Sequence, residues 1–291
     1  MGSPAFALPS FQRILASSHQ IIACVSQPAR PKNRGHQLVD TAIAKAAKAA
    51  QIPLFTPNAL NQEVIAELAK IEFEVLVVVA YGLIIPKRLL ELAKLVALNL
   101  HPSALPRFRG AAPLERSLEA GDKETKVMII KMVEALDAGP IALSERLKIE
   151  PADTAASLSQ KASIIGADLL LTALDQLAQA GQLVFTPQQG KASYAKKITK
   201  SEALLDDFNQ PGEVIINKIR AFNPRPGAYL IFNQLRYKIL AAKLVKQKTT
   251  KLGLNPDLTI NCRDGVIIPQ IIQRQGGKAM AYEIFKKRQK S

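Results

Sequence analysis

The sequence predicts an α/β fold, a parallel-rich sheet flanked by helices, followed by a small β-barrel of the oligonucleotide-binding (OB-like) type. Three observations lead there. Residues 75–80 form an unbroken, valine-rich apolar run, the pattern of a central parallel strand buried on both faces. Short apolar runs alternate with helix-spaced stretches as far as residue 180. From Tyr229 onward, short apolar segments recur at close spacing, separated by Gly, Pro and Asn.

Taken in order, residues 10–17 follow Pro9 as a short amphipathic helix, and residues 20–25 are a strand carried by Ile21, Ile22 and Val25. Residues 27–38 mix prolines with cations and read as a loop. Residues 39–50 place Ala and Lys at helical spacing, residues 53–55 make a short strand, and residues 63–70 a second helix. Tyr81-Gly82 then opens a strand-to-helix turn. Residues 95–98 lead into Asn99 as a buried strand end, the chain breaks at Pro102, and a helix starts near Pro113 and stops at Gly121-Asp122. Residues 126–133 are a strand, 137–140 a loop, 141–149 an alternating edge strand, and 154–180 a long helix capped by Asp153 or Thr154. Residues 182–200 shift to Pro, Gln, Gly and Lys and read as a linker. The block at 221–229 sets a tight turn into strands at 229–232, 235–243, 258–261, 265–268 and 270–274, and residues 279–289 close as a helix. The expected division is residues 1–182, a basic linker at 183–203, and residues 204–291.

A chain of 291 residues with 48% apolar content can build a substantial core. No apolar run is long enough to span a bilayer, so no membrane partner is expected. Cys24 and Cys262 are too few for a disulfide framework or a zinc cluster and read as reduced, buried thiols. The net charge of +15 is lopsided: residues 211–291 hold 16 Lys and Arg against four Asp and Glu, a net +12, which leaves +3 for residues 1–210. Such a one-sided tail invites a polyanion, with nucleic acid the natural candidate. The absence of Trp and the few aromatics favour phosphate contacts over base stacking.

The stretch that gathers chemistry is Asn99-Leu100-His101-Pro102-Ser103-Ala104-Leu105-Pro106-Arg107-Phe108-Arg109-Gly110. Asn99 and His101, two apart on a strand, point to one face and converge at its carboxyl end, where open α/β sheets place ligands. Asp137 follows 36 positions after His101, in Leu136-Asp137-Ala138-Gly139-Pro140. Asn, His and Asp together can run acyl chemistry: an oxyanion donor, a proton shuttle and a carboxylate that orients the imidazole. A lone Asn-x-His is common, and it is the compound pattern that is specific. His19 and His36 lack any partner pattern and read as surface or structural residues, and no cluster supplies a metal site.

These three segments together resemble the signature of the 10-formyltetrahydrofolate-dependent formyltransferases, and the resemblance runs nearly end to end. It implies a Rossmann-like catalytic domain and transfer of a formyl group from 10-formyltetrahydrofolate to the α-amine of methionine on an initiator tRNA. By that match Asn99, His101 and Asp137 are catalytic. Ala80, Tyr81, Gly82 and Leu83 belong to the folate pocket with Ser103, Leu105 and Pro106. Arg34 leads the tRNA contacts, supported by Arg30 and Lys32, with Lys196, Lys197 and Lys200 lying against tRNA in the linker. A monomer is expected, in the bacterial cytoplasm first and a mitochondrion second. The sequence departs from the family pattern in three places. Residues 1–9 match the family's first loop, so the strand before it is expected to be missing; Ala138 replaces a Thr, and Arg225 a Trp.

Two other readings stay open at this point. One is a formyltransferase acting on an amino sugar or another small amine, which shares the triad but has no need of a basic C-terminal region. The other is a non-catalytic RNA-binding relative, against which the intact Asn99, His101 and Asp137 stand.

Overall fold

The computed structural model describes residues 1–32, 37–248 and 251–289. They form two units. The first is Met1–Ala111, Thr125–Leu147 and Ser159–Tyr194, and the second is Ala112–Glu124, Lys148–Leu158 and Ala195–Ser291.

In the first unit a single 3-10 turn runs into α1 (Leu8–Leu15), which has Pro9 in its first turn, where a missing N–H costs nothing. β1 (Cys24–Val25) pairs in parallel with β4 (Leu54–Phe55). The expected loop at 27–38 is instead an antiparallel pair, β2 (Arg30–Lys32) with β3 (Gln37–Val39). Pro31 fits because an isolated two-stranded ribbon leaves an edge that needs no donor. α2 (Ala42–Ala49) begins later than residue 39, where the Thr41 hydroxyl accepts from the Ala44 N–H. α3 (Gln62–Leu68) is capped in the same way by Asn61.

β5 (Val75–Val78) is followed by α4 (Lys87–Leu90), the helix that the Tyr81-Gly82 turn leads into, and by β6 (Val96–His101). β7 (Arg109–Gly110) lies in the loop beyond. β8 (Glu124–Lys131) and β9 (Ile141–Lys148) complete a sheet of order β5-β6-β8-β9, with β9 at the edge as its alternation implied. β5 and β6 are parallel, and β8 runs antiparallel to β6.

Met1 and Gly2 lie between β1 and β5: the Gly2 N–H donates to Val25 O, the Val79 N–H to Met1 O, and the Met1 ammonium to Val77 O. Among the described residues no full strand stands there. A cavity of about 530 Å³ adjoins them, lined by stretches of residues 19–25 and 71–77. Val75 and Val77 line it and are only half-buried, so β5 is not covered on both faces as its composition suggested.

The long helix α6 (Ala155–Ala180) opens on Thr154, whose hydroxyl accepts from the Ser157 N–H while Ser157 Oγ accepts from the Thr154 N–H. It packs closely on β6, because a Cβ at Gly166 would run into the Leu100 side chain. The position beside β6 therefore needs a residue without a side chain.

The second unit contains α5 (Pro113–Glu119) and α7 (Gly212–Ala221), which pack together, and the chain enters it through β10 (Tyr194–Ala195). α7 has no counterpart in the sequence reading. Its strands are β11 (Tyr229–Phe232), β12 (Leu235–Lys246), β13 (Gly253–Leu254), β14 (Ile260–Cys262), β15 (Gly265–Arg274) and β16 (Met280–Ala281), and α8 (Tyr282–Gln289) ends the chain. They form a curled antiparallel half-barrel of order β11-β12-β15-β14-β13, with β16 on β15. The curl follows from register slips between β12 and β15 near Ala241. Pro269 sits opposite Ala242 at that slip, so the two strands expected on either side of it are one. The core gathers Ile215, Ile219, Leu230, Ile239, Ile260 and Phe285. The 221–229 block is the expected tight turn: the Gly227 N–H donates to Phe222 O and Asn223 Nδ2 to Leu240 O. Both cysteines are free and buried.

Candidate active site

β6 brings Asn99 and His101 to one face at its carboxyl end, with Leu100 turned into the core between them. Val78 of β5 pairs with Asn99, so the turn at Ala80, Tyr81, Gly82 and Leu83 leaves the sheet beside that end. Two parallel strand ends side by side form the crevice where such sheets take ligands.

Asp137 completes the group from the loop between β8 and β9. Its Oδ2 lies 3.6 Å from His101 Nδ1 and accepts the Gly110 N–H at 2.8 Å, while Oδ1 accepts Asn99 Nδ2 at 3.4 Å. His101 Nε2 faces the Phe108 carbonyl at 3.0 Å. Both ring nitrogens therefore face acceptors, an arrangement that a doubly protonated ring satisfies on both sides. The side chains of His101 and Asp137 are 5% and 13% exposed, so the pair sits in a setting where charge–charge attraction is weakly screened. Asp137 adopts φ 48°, an unusual backbone state for a non-glycine residue. Two residues on, a Cβ at Gly139 would collide with the Lys131 carbonyl oxygen, so only glycine lets the loop lie against β8.

The expected folate-pocket residues divide by exposure. Ala80 and Gly82 are exposed, whereas Tyr81 is buried, its ring among Leu76, Val78 and Leu89. Tyr81 O is held by Gln27 Nε2 at 2.8 Å and Ser3 Oγ at 3.2 Å. Ser103 is fully buried and its hydroxyl donates to Arg107 O; Leu105 packs on Met128 and Ile130, and Pro106 is buried beside it. These three shape the loop rather than present side chains to solvent. Arg30 is exposed, its Nη2 donating to Gln27 Oε1 at 2.7 Å, so the β2 arm is tied through Gln27 to the 80–83 turn. Arg34 and His36 lie outside the described residues, as does the side chain of Lys32. Lys196, Lys197 and Lys200 are exposed. His19, which carried no partner pattern, pairs with Asp175 at 2.8 Å across the fold.

The sequence reading missed the groups that fix the loop. Arg109 donates to Ser193 O from its backbone, and the Phe108 N–H donates to Ser193 Oγ. Gln188 bridges Arg109 to the carbonyls of Asp137 and Gly139. All of these partners come from a segment read as linker. Among the described residues no group of His, Cys, Asp or Glu is placed to hold a metal ion, and no helix is long and apolar enough to cross a membrane.

An Asn–His strand end faced by a buried carboxylate, on an α/β unit joined to an antiparallel half-barrel, places the chain among the formyltransferases. The family profile described as "Formyl transferase" matches residues 2–174, and "Formyl transferase, C-terminal domain" matches residues 197–290. The methionyl-tRNA formyltransferase of Bartonella quintana is 43% identical over 294 residues, covering 98% of this chain and 94% of its own. That of Coxiella burnetii is 40% identical over 249 residues, covering 85% and 79%. Two solved structures share the fold. The methionyl-tRNA formyltransferase of Clostridium thermocellum has TM-score 0.56 at 21% identity, over 79% of this chain and 91% of that one. WlaRD, a sugar 3N-formyltransferase solved in the presence of dTDP and 5-N-formyl-THF, has TM-score 0.69 at 18% identity, over 92% and 95%. The chain belongs to the methionyl-tRNA formyltransferase family, enzymes that use a folate-derived formyl donor.

Proposed function

We propose that the chain transfers the formyl group of 10-formyltetrahydrofolate to the α-amine of methionine carried by initiator tRNA, with Asn99, His101 and Asp137 as the reacting side chains. The observation that carries this reading is the Asp137 carboxylate set against His101 Nδ1 with Asn99 beside it, at the strand end next to the 80–83 turn. The bound donor supplies the electrophilic formyl carbon, and the incoming amine turns its oxygen into an oxyanion. Asn99 Nδ2 donates to that oxygen, and a protonated His101 joins it by turning its Nε2–H from the Phe108 carbonyl. Asp137 stabilises the imidazolium and takes part in removing the amine proton; collapse of the oxyanion then breaks the bond between the formyl carbon and N10, and tetrahydrofolate leaves with a proton on that nitrogen. The exposed backbone at Ala80 and Gly82, beside the buried Tyr81 and with Leu83, suits a flat heterocycle bound through peptide groups; Ser103, Leu105 and Pro106 support the opposite loop.

Arg30, Lys32 and Arg34 contact the tRNA acceptor end, and Lys196, Lys197 and Lys200 track its backbone. In the second unit a groove of about 350 Å³ is lined by Arg236, Lys238, Gln273, Arg274, Gln275 and Gly276, with no acidic residue among them. That supports a phosphate backbone as partner. The division into a catalytic part at 1–182, a basic connection at 183–203 and a tRNA-binding part at 204–291 belongs to this proposal, supported by the spans of the two family profiles. Asn99, His101, Asp137 and their partners all come from the first unit, which supports a monomer as the working form. The bacterial relatives support a cytoplasmic setting.

Single-turnover formylation tests the proposal, with 10-formyltetrahydrofolate as donor and methionyl initiator tRNA, a methionyl elongator tRNA and a nucleotide-linked amino sugar as acceptors. Transfer to the initiator in preference to both others is expected. Transfer to the amino sugar alone, or tRNA binding by folded protein without transfer, overturns it.

A further inference from the structure

One side chain outside the triad makes four hydrogen bonds at the back of the site. Gln188 Nε2 donates to Asp137 O and to Gly139 O, each at 2.8 Å, and its Oε1 accepts Arg109 Nη2 at 2.7 Å and Nε at 3.1 Å. The next residue after Arg109, Gly110, donates its N–H to the Asp137 carboxylate. The Asp137 loop is thus tied to one dipeptide twice, through its carboxylate and through its backbone. The main chain around Gln188 is itself anchored. Thr186 exchanges both backbone bonds with Ile141 at 2.8 and 2.9 Å, and Ser193 holds Pro106, Phe108 and Arg109.

We propose that Gln188 is a positioning residue of the formyl transfer, holding the Asp137 loop in the backbone state that aims its carboxylate at His101. The inference rests on the role given above to Asp137. Asp137 lies at φ 48°, a state that costs about 1–3 kcal/mol and persists only where its surroundings hold it. The Gly110 N–H restrains only the carboxylate. The Gln188 amide restrains the carbonyls of the two residues that flank Ala138, and the Arg109 fork in turn fixes which end of the amide is the donor. The half-buried site keeps water from substituting freely for either bond.

The chemistry of the amide gives a selective test. Gln188→Glu keeps an acceptor for Arg109 but replaces the donor to both carbonyls with a second oxygen. Gln188→Ala removes both functions. Displacing a reacting group by an ångström costs on the order of 100-fold in rate. Both variants should therefore lose roughly tenfold or more in kcat, with KM for the folate donor and for tRNA within about threefold of the parent. In 15N-histidine-labelled protein the His101 ring signals should move in Gln188→Glu, a change that a general loss of stability would not produce in the folded fraction. Asp137→Asn is measured alongside. If Asp137→Asn loses turnover while both Gln188 variants keep the parent kcat and His101 spectrum, the positioning role is overturned and the reaction assignment stands. If Asp137→Asn itself keeps parental turnover, the assignment of Asp137 fails, and the Gln188 proposal fails with it.

Discussion

Asn99 has a role that a single substitution isolates. Its amide is half-buried, its backbone is locked in β6, and among the described residues its side-chain partner is Asp137, at a long 3.4 Å. Asn99→Ala removes the proposed oxyanion donor without disturbing the sheet ladder, and such losses cost about 100- to 1000-fold in kcat. KM for tRNA should hardly change, because the proposed tRNA contacts lie elsewhere; steady-state formylation checks both, and near-normal turnover would remove Asn99 from the mechanism. Gly139 makes a different kind of claim, about space rather than chemistry. An alanine there meets the backbone oxygen of Lys131, which cannot rotate away. Gly139→Ala should lower stability by about 1–3 kcal/mol, as overpacked sites do, and should reduce turnover because the Asp137 loop must lift. Urea denaturation alongside kcat checks the pair, and an unperturbed kcat would mean the loop is not held against β8. Asn99 and His101 could be read from sequence because two alternate residues on a strand share a face whatever surrounds them. Gln188 could not, because three of its four bonds reach Asp137 and Arg109, 51 and 79 positions away, and two of its acceptors are backbone carbonyls that leave no trace in residue identity.

At the scale of elements, the turn at residues 199–202 orders the start of the cationic segment. Glu202 accepts the Thr199 N–H at 2.8 Å and Arg116 Nη2 at 2.7 Å, and Arg116 also holds Lys196 O. The Thr199 N–H and the Arg116 guanidinium hold the Glu202 carboxyl down at about 2, against an ordinary value of 4.5. A depressed folded pKa contributes stability that is fully present above the unfolded value and is lost as pH falls through the folded one. Glu202→Gln should therefore destabilise the protein at pH 7, and the difference should shrink between pH 4.5 and pH 2. Urea midpoints of the two proteins at pH 7 and pH 3 check this, and an equal gap at both would exclude the ion pair as its source. The same scale shows where pattern reading fails. Proline in β2 and β15 looked like a break, yet Pro31 lies on an edge ribbon and Pro269 at a register slip, the two places where a strand tolerates a missing donor. α7 begins at Pro211-Gly212, which reads as a turn; its Gly212 N–H is instead satisfied by Asp264, 52 residues on.

At the scale of the molecule, charge divides the labour that the fold allows. Residues 1–210 carry a net +3, whereas residues 211–291, all in the second unit, carry +12. That asymmetry was legible from counting alone; which cations face one groove was not, since it depends on the pairing of β12 with β15. Lys238 stands opposite Gln273 across that pair, Arg274 follows at the next position, and Arg236 is steadied by its guanidinium lying 4.2 Å from the Tyr229 ring centre. A cation held in place before binding loses less freedom when a phosphate arrives. Each phosphate contact removed should lower the slope of log affinity against log salt by about 1, so Arg236→Ala, Lys238→Ala and Arg274→Ala together should lower it by about 3. The loss should be similar for initiator and elongator tRNA, because backbone contacts carry no sequence information. Turnover at saturating initiator tRNA should stay at the parent level, since none of the three lies in the unit that holds the triad. Binding measured across a salt series for parent and triple variant decides it: an unchanged slope would move the tRNA off this groove, and a loss confined to the initiator would make the groove a reader of tRNA identity rather than a cradle for its backbone.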